Sequence, residues 1–197
     1  FIKTFKERFE MTPKDWRNGG YKDYSRKILQ QSKRAMESKA DFSDMTPTIV
    51  KMPVFESYYI RNKGYNSNIK ETWQKLQTWI LTNNITNYKQ IALFHDNPTI
   101  TPLNDCQYIG CVVVDNPQKV KSDRLPNFKI SDGVYAKFDL KGKTGDVLPF
   151  IHWVYHEWLP KSEYETTTKP SYAIYEKLDI LDESDEFELS FYVSINF

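Results

Sequence analysis

Two histidines, His152 and His156, stand four residues apart in the run His152-Trp153-Val154-Tyr155-His156-Glu157. On a helix that spacing puts both imidazoles on one face, which binds zinc only if a third ligand converges. The run is not H-E-x-x-H, since its only glutamate follows the second histidine. Cys106 and Cys111 have no ligand-type spacing, so neither a metal site nor a cofactor is expected. Five residues apart in a strand-like run, the two cysteines point to opposite faces and make no disulfide framework. Free, buried thiols fit a reducing cytoplasm. No glycine-rich phosphate loop and no G-x-S-x-G elbow is present.

Aromatic side chains offer the other chemistry. The 197 residues include 12 Phe, 13 Tyr and 5 Trp, 15% in all, against only 7 Gly. A pocket for a small organic molecule needs large flat apolar walls and a few polar groups for orientation. Tyr59, Tyr65, Trp73, Phe94, Tyr108, Trp153, Trp158, Tyr175 and Tyr192 are the candidate walls. Such rings also attract cations, by about 0.5–2 kcal/mol per contact. For a neutral or anionic ligand, Arg61 or Lys63 would stand at the rim.

These residues fall on a recurring set of elements. Val54 to Ile60 reads as a strand, and Asn62-Lys63-Gly64-Tyr65 as a turn. Ile69, Trp73, Leu76 and Ile80 recur at helical spacing, which predicts a helix over about 67–83. Ile91 to His95 and Gln107 to Asp115 read as strands. The order then repeats: strand Gly133 to Leu140, a turn at Lys141-Gly142-Lys143, a helix marked by Leu148, Ile151, Tyr155 and Trp158, and strands Ser171 to Glu176 and Phe187 to Ile195. The expected fold class is α+β. Duplicated β-α-β-β halves form an antiparallel sheet whose two helices border a ligand groove, with short helices before them.

The N-terminal end differs in character. Phe1, Phe5 and Phe9 form one apolar stripe at i, i+4, i+8. Thr12 then serves as N-cap with Pro13 as first helical residue, and Gly19-Gly20 ends that turn. Residues 21–40 are polar, helix-permissive and without a strong apolar face, as in a helical or frayed linker. Residues 1–41 hold 11 Lys+Arg and 6 Asp+Glu, a net of +5, while the remainder nets −4. A basic end joined to an acidic body points to a polyanionic partner. With 40% hydrophobic and 27% charged residues the chain can fold around a core. No apolar run approaches the ~20 residues of a membrane span, so no membrane partner is expected. The chain does not begin with Met, and is expected to be a fragment or a processed product.

Residues 54–65, VFESYYIRNKGY, followed by a Trp-bearing helix, resemble the opening of the GyrI-like effector-binding domain. The likeness continues through Phe94-His95-Asp96-Asn97-Pro98, Gly133-Val134-Tyr135-Ala136, Glu157-Trp158-Leu159-Pro160, Lys169 to Tyr175 and Phe191 to Ile195. Phe1 to Arg17 is similar to the last stretch of an AraC-type helix-turn-helix DNA-binding domain, with Glu10 where that family usually has glycine. The resemblance implies three parts: 1–20, the end of a DNA-binding domain; 21–47, a partly helical linker; and 48–197, a ligand-binding domain. Lys3, Lys6, Arg8 and Arg17 would be the DNA-facing remnant. The implied protein is a cytoplasmic, non-enzymatic transcriptional regulator. A small-molecule effector would be its partner, and the full-length protein rather than this chain would bind DNA. By resemblance, multidrug-binding members often hold a buried acid, frequently where this chain has Ala173 and Ser190, which leaves Glu157 or Glu188 as substitutes. A hydrolase on the same fold, with Glu157 and Tyr65 or Tyr175 activating water, and a gyrase-inhibitor-like protein-binding module are the alternatives that the resemblance leaves open.

Overall fold

The computed structural model describes residues 1–65, 68–115, 120, 125–178 and 185–196. Strand β1 (Thr48–Met52) precedes a first unit of β2 (Phe55–Lys63), helix α5 (Asn68–Thr82), β3 (Tyr88–Phe94) and β4 (Gln107–Val114). Ser67, where the periodicity starts that helix, lies outside the described residues. After β5 (Asn127–Ile130) a second unit repeats the order: β6 (Gly133–Lys143), helix α6 (Val147–Trp153), β8 (Ser171–Leu178) and β9 (Glu186–Asn196). The two-residue β7 (Glu165–Thr166) pairs with the end of β9. Among the described residues eight strands form one curled sheet in the order β1-β6-β9-β8-β3-β4-β2-β5, with β7 off this path. Each unit therefore runs first strand, third, second from the outside inward, and the two second strands, β8 and β3, pair antiparallel at the centre. That arrangement is the expected duplication, with a pseudo-two-fold axis between β3 and β8.

Side chains alternate across the pleat, and both faces are covered. In β4, Tyr108, Val112 and Val114 join the core under the helices, while Ile109 and Cys111 join a second core on the opposite face. Helix α5 buries Trp73, Leu76 and Ile80 of the predicted stripe, together with Thr72 and Trp79, while Ile69 is half-buried. It sits close because β4 carries a glycine beneath it. A Cβ on Gly110 would lie 2.9 Å from both Leu76 Cδ1 and Thr72 Cγ2.

Three local features differ from the sequence expectations. Lys141-Gly142-Lys143 is not a turn but the end of β6, paired with Glu188, Phe187 and Glu186 of the long β9. The reversal comes one step later, where Asp146 accepts a hydrogen bond from the Lys143 amide at 2.8 Å. The second helix is not regular throughout: α6 continues as a π-helical segment, Val154–Trp158. Such wide turns shift the facing of the residues after them and recur at functional sites. The edge strands β1 and β5 carried no strong sequence signal, being short and half-exposed.

The N-terminal segment folds as α1 (Ile2–Phe9), α2 (Pro13–Asp15), a π turn (Trp16–Gly20), α3 (Tyr21–Leu29) and α4 (Lys33–Glu37). Thr12 caps α2 in a reciprocal capping box with Asp15. Phe5, Phe9, Trp16 and Tyr24 stack on one another, with Phe9 and Trp16 ring centroids 4.5 Å apart. Phe1, by contrast, is 90% exposed. Residues 21–42 are packed against the body rather than frayed: Ser25, Ile28, Ala35 and Phe42 are buried. Helix α4 reaches the body because residue 145 is glycine, where a Cβ would meet the Arg34 carbonyl oxygen at 2.8 Å.

Candidate functional site

The helix side of the sheet has a floor of small residues. Gly110, Ala92 and Ala173 are register partners in one row across β4, β3 and β8. The row on one side carries Tyr108 and Phe94, and Tyr175 stands on the other side. Small side chains between large ones let the helices come down on the sheet: Leu76 and Thr72 of α5 sit over Gly110 with Trp73 beside them, and Tyr155 comes from the π segment. The Tyr65 ring closes one end, meeting Phe94 and Tyr108 edge-to-face, each at 5.9 Å. Trp73 packs against Tyr175 at 5.8 Å.

The polar atoms of this aromatic box are few and specific. Trp73 Nε1 donates to Tyr108 Oη at 2.9 Å. Tyr108 is thereby an acceptor, and its own proton serves the hydrogen bond it shares with Tyr175. The Tyr155 hydroxyl bonds to Ser171. Among the described residues Tyr65 Oη is buried without a hydrogen-bond partner. Burial pushes the Tyr65 and Tyr108 phenols well above their ordinary value, and that of Tyr175 up to about 12. All stay protonated, so the box offers neutral donors and π faces. Among the described residues no Asp or Glu is buried.

Of the sequence-derived candidates, Tyr65, Trp73, Phe94, Tyr108 and Tyr175 come together here. Trp153 and Trp158 lie beside them over the second unit, both against Phe138, with Trp158 at 4.9 Å. Tyr59 and Tyr192 fall on the opposite face of the sheet, against Phe128 and Tyr172 respectively. Glu157 points outward: Lys161 Nζ donates to its Oε2 at 3.0 Å and Lys22 Nζ to its Oε1 at 3.4 Å. The Lys161 hydrogen bond, aided by the Lys22 charge, lowers its pKa. Glu188 is exposed and paired with Lys141. Lys3, Lys6, Arg8 and Arg17 are exposed on the N-terminal helices.

The histidines have a role that their spacing did not indicate. Ser25 Oγ of α3 lies 2.9 Å from His152 Nδ1 and 2.7 Å from His156 Nε2. One hydroxyl gives a proton to one ring and accepts from the other, which is complete when both imidazoles are neutral. Burial, with the nearby His156, lowers the His152 pKa to about 4; burial and then Lys22 lower that of His156. His152 Nε2 is near the Pro98 carbonyl without the geometry of a hydrogen bond. Among the described residues no group of three His, Cys, Asp or Glu is arranged to hold a metal ion. Cys106 and Cys111 are buried free thiols, each pushed up to about 12 by burial. Ser25 sits in a polar stretch and gave no sequence signal. Small residues inside strands, Ala92, Gly110 and Ala173, were the available sign of the floor.

A curled antiparallel sheet from two β-α-β-β units, with an aromatic box under paired helices, is a small-molecule architecture. A model of the GyrI-like small molecule binding domain matches residues 45–195. The chain belongs to that family. No curated protein matches it. This GyrI-like domain is similar in fold to the EcmrR C-terminal domain, with TM-score 0.59 and 14% identity over 78% of this chain and 98% of that one. The EcmrR–DNA complex gives TM-score 0.63 and 14% identity, covering 93% of this chain and 68% of that one. SAV2435 bound to tetraphenylphosphonium gives 0.52 and 11%, over 77% and 94%. No helix among the described residues is long and apolar enough to cross a membrane.

Proposed function

We propose that this chain is the effector-sensing part of an AraC-type transcriptional regulator, taking a small, neutral aromatic or amphipathic compound into the box beneath its two helices. The observation that carries the reading is the Tyr65 hydroxyl, which among the described residues is buried without a partner at the end of the aromatic box. An unpaired buried polar group costs about 1–3 kcal/mol, and a ligand oxygen or nitrogen beside it removes that cost. Without a buried carboxylate the box suits a neutral effector better than a cation of the kind bound by SAV2435.

The regulator reading rests on the resemblance of residues 1–17 to the end of an AraC-type domain. Their exposed Lys3, Lys6, Arg8 and Arg17 support it. So does the likeness to the EcmrR–DNA complex, which extends over more of this chain than the likeness to the EcmrR C-terminal domain does. A ligand shifts an equilibrium only by its difference in affinity between two states. Here the two states would be two seatings of α6 and its π segment, and Ser25 would pass the change to α3 through His152 and His156.

The test is a thermal-shift and tryptophan-fluorescence screen of neutral phenols and aromatic amides, with tetraphenylphosphonium beside them. Neutral compounds should stabilise the chain most, and Tyr65→Phe should weaken them about tenfold. Strongest stabilisation by tetraphenylphosphonium would sink the neutral-effector reading. In mobility shifts this chain should bind DNA weakly, without sequence preference, and lose it as salt rises. Tight, sequence-selective binding would overturn the division of labour.

A further inference from the structure

The face of the sheet away from the helices curls around a second apolar core of Phe55, Ile91, Leu93, Ile109, Tyr172 and Tyr192. The β5 strand and the Ser131-Asp132 link to β6 pass beside one mouth of this half-barrel, and there a cavity of about 240 Å³ opens. Its walls include Leu93, Ile109, Phe128 and Ile130, and its rim Arg61, Lys129 and Lys169. The mouths of curled sheets are common places for ligand pockets, but this one is smaller than the roughly 300–1,000 Å³ of a drug-sized site. Its occupant is therefore a small molecule.

The rim charges say which kind. Lys129 is paired with Glu56 at 3.2 Å. Arg61 lies over the Tyr59 ring at 5.4 Å, and Lys169 Nζ donates to the uncharged Asp132 carbonyl at 2.5 Å. Among the described residues neither Arg61 nor Lys169 has a carboxylate partner. Two cations with no carboxylate in ion-pair contact among the described residues, at the lip of an apolar cavity, favour a ligand with an anionic head and an apolar tail. The wall is built to fixed geometry, since Arg61, Ile109, Leu93 and Tyr172 are register partners in one row across β2, β4, β3 and β8. Tyr172 adds a second sign. Among the described residues its hydroxyl is buried without a partner, while its register neighbour Leu93 and its ring neighbour Tyr135, 5.2 Å away, both line the cavity.

We propose that this mouth is a second ligand site, separate from the helix-side box, that takes a small amphipathic monocarboxylate. The carboxylate bonds to the Arg61 guanidinium and the Lys169 ammonium, and a short aliphatic chain lies between Leu93, Ile109 and Ile130. The test uses the whole chain and three probes with one tail: octanoate, octanol and octylammonium. In calorimetry octanoate should bind with a single saturable site, octanol more weakly and octylammonium not at all. Arg61→Ala should weaken octanoate at least about tenfold. It should leave the thermal midpoint unchanged, because Arg61 is exposed. In NMR spectra octanoate should move the amides of Leu93, Ile109 and Ile130 and leave the Trp73 indole in place. Equal binding of octanol and octanoate, undiminished binding by both Arg61→Ala and the Arg61→Ala/Lys169→Gln pair, or no octanoate binding would each overturn the proposal. So would a shift of the Trp73 indole alone. The helix-side reading is followed through Trp73, so failure of either site leaves the other standing.

Discussion

On its helix side the sheet presents Phe94, Tyr108 and Tyr175 under Trp73, and a hydrogen-bond chain links Trp73 to Tyr108. On its opposite face the aromatic rings hold one another: Tyr172 and Tyr192 stack at 4.7 Å, and Tyr135 meets Tyr172 at 5.2 Å. Residue types are alike, but the lids differ. The helix-side rings lie under two helices, one of which is bound through Ser25 to the N-terminal segment. The opposite rings lie against strands whose ladders fix them. A ligand under a helix can move an element that reaches the N-terminal end, while a ligand in the strand mouth has no such lever.

Trp73→Ala tests the weight of the helix side most directly. It should cost about 3–5 kcal/mol in urea unfolding, the usual cost of removing a fully buried large ring. A loss below about 1 kcal/mol would mean the box is not a core at all.

Acid is next. His152 and His156 both have lowered pKa values in the folded chain, so the unfolded chain binds their protons more readily. Stability should fall as pH drops below the unfolded value of 6.5 and keep falling to about 4, where His152 itself titrates. The His152 share is about 3 kcal/mol. Thermal midpoints from pH 7.5 to 4 should show the slope, and His152→Gln should flatten it. An unchanged slope would remove the Ser25 clamp from the comparison.

Gly110→Val should destabilise by about 1–3 kcal/mol, because the added carbons overlap α5. On the opposite face Tyr172→Phe should be neutral or stabilise by up to about 1 kcal/mol, since it deletes a buried hydroxyl with no partner. A clear loss there would reveal a hydrogen bond and bring the two faces closer in kind. Glu157→Gln should change stability by no more than about 1 kcal/mol, as expected for a half-exposed ion pair, with the residual effect fading in high salt.

Much of this was legible in the residues. The Ile69, Trp73, Leu76, Ile80 stripe marked α5, and the repeated order of strand and helix marked the duplication. The Thr12-Pro13 cap was legible because its chemistry is local. Less legible was which side of the sheet each aromatic would face. Tyr58 and Tyr59 are adjacent, and one packs with Trp79 on the helix side while the other meets Phe128 on the opposite face. Both faces of this half-buried strand carry an aromatic ring, so alternation gives no polar mark to tell them apart at these two positions. Glu157 was misleading for a related reason: its place beside Trp158 suggested the groove, but the lysines at Lys22 and Lys161 hold it outward.

The residues by themselves determined the local elements: periodicity sets helix and strand, and caps and turns act within a few positions. They also determined the family. The fold decided which residues share a site, because register and curl bring together positions far apart in the chain. Gly110, Ala92 and Ala173 become one floor only when β4, β3 and β8 pair. Ser25 becomes the partner of two histidines more than a hundred residues away only when α3 packs on α6.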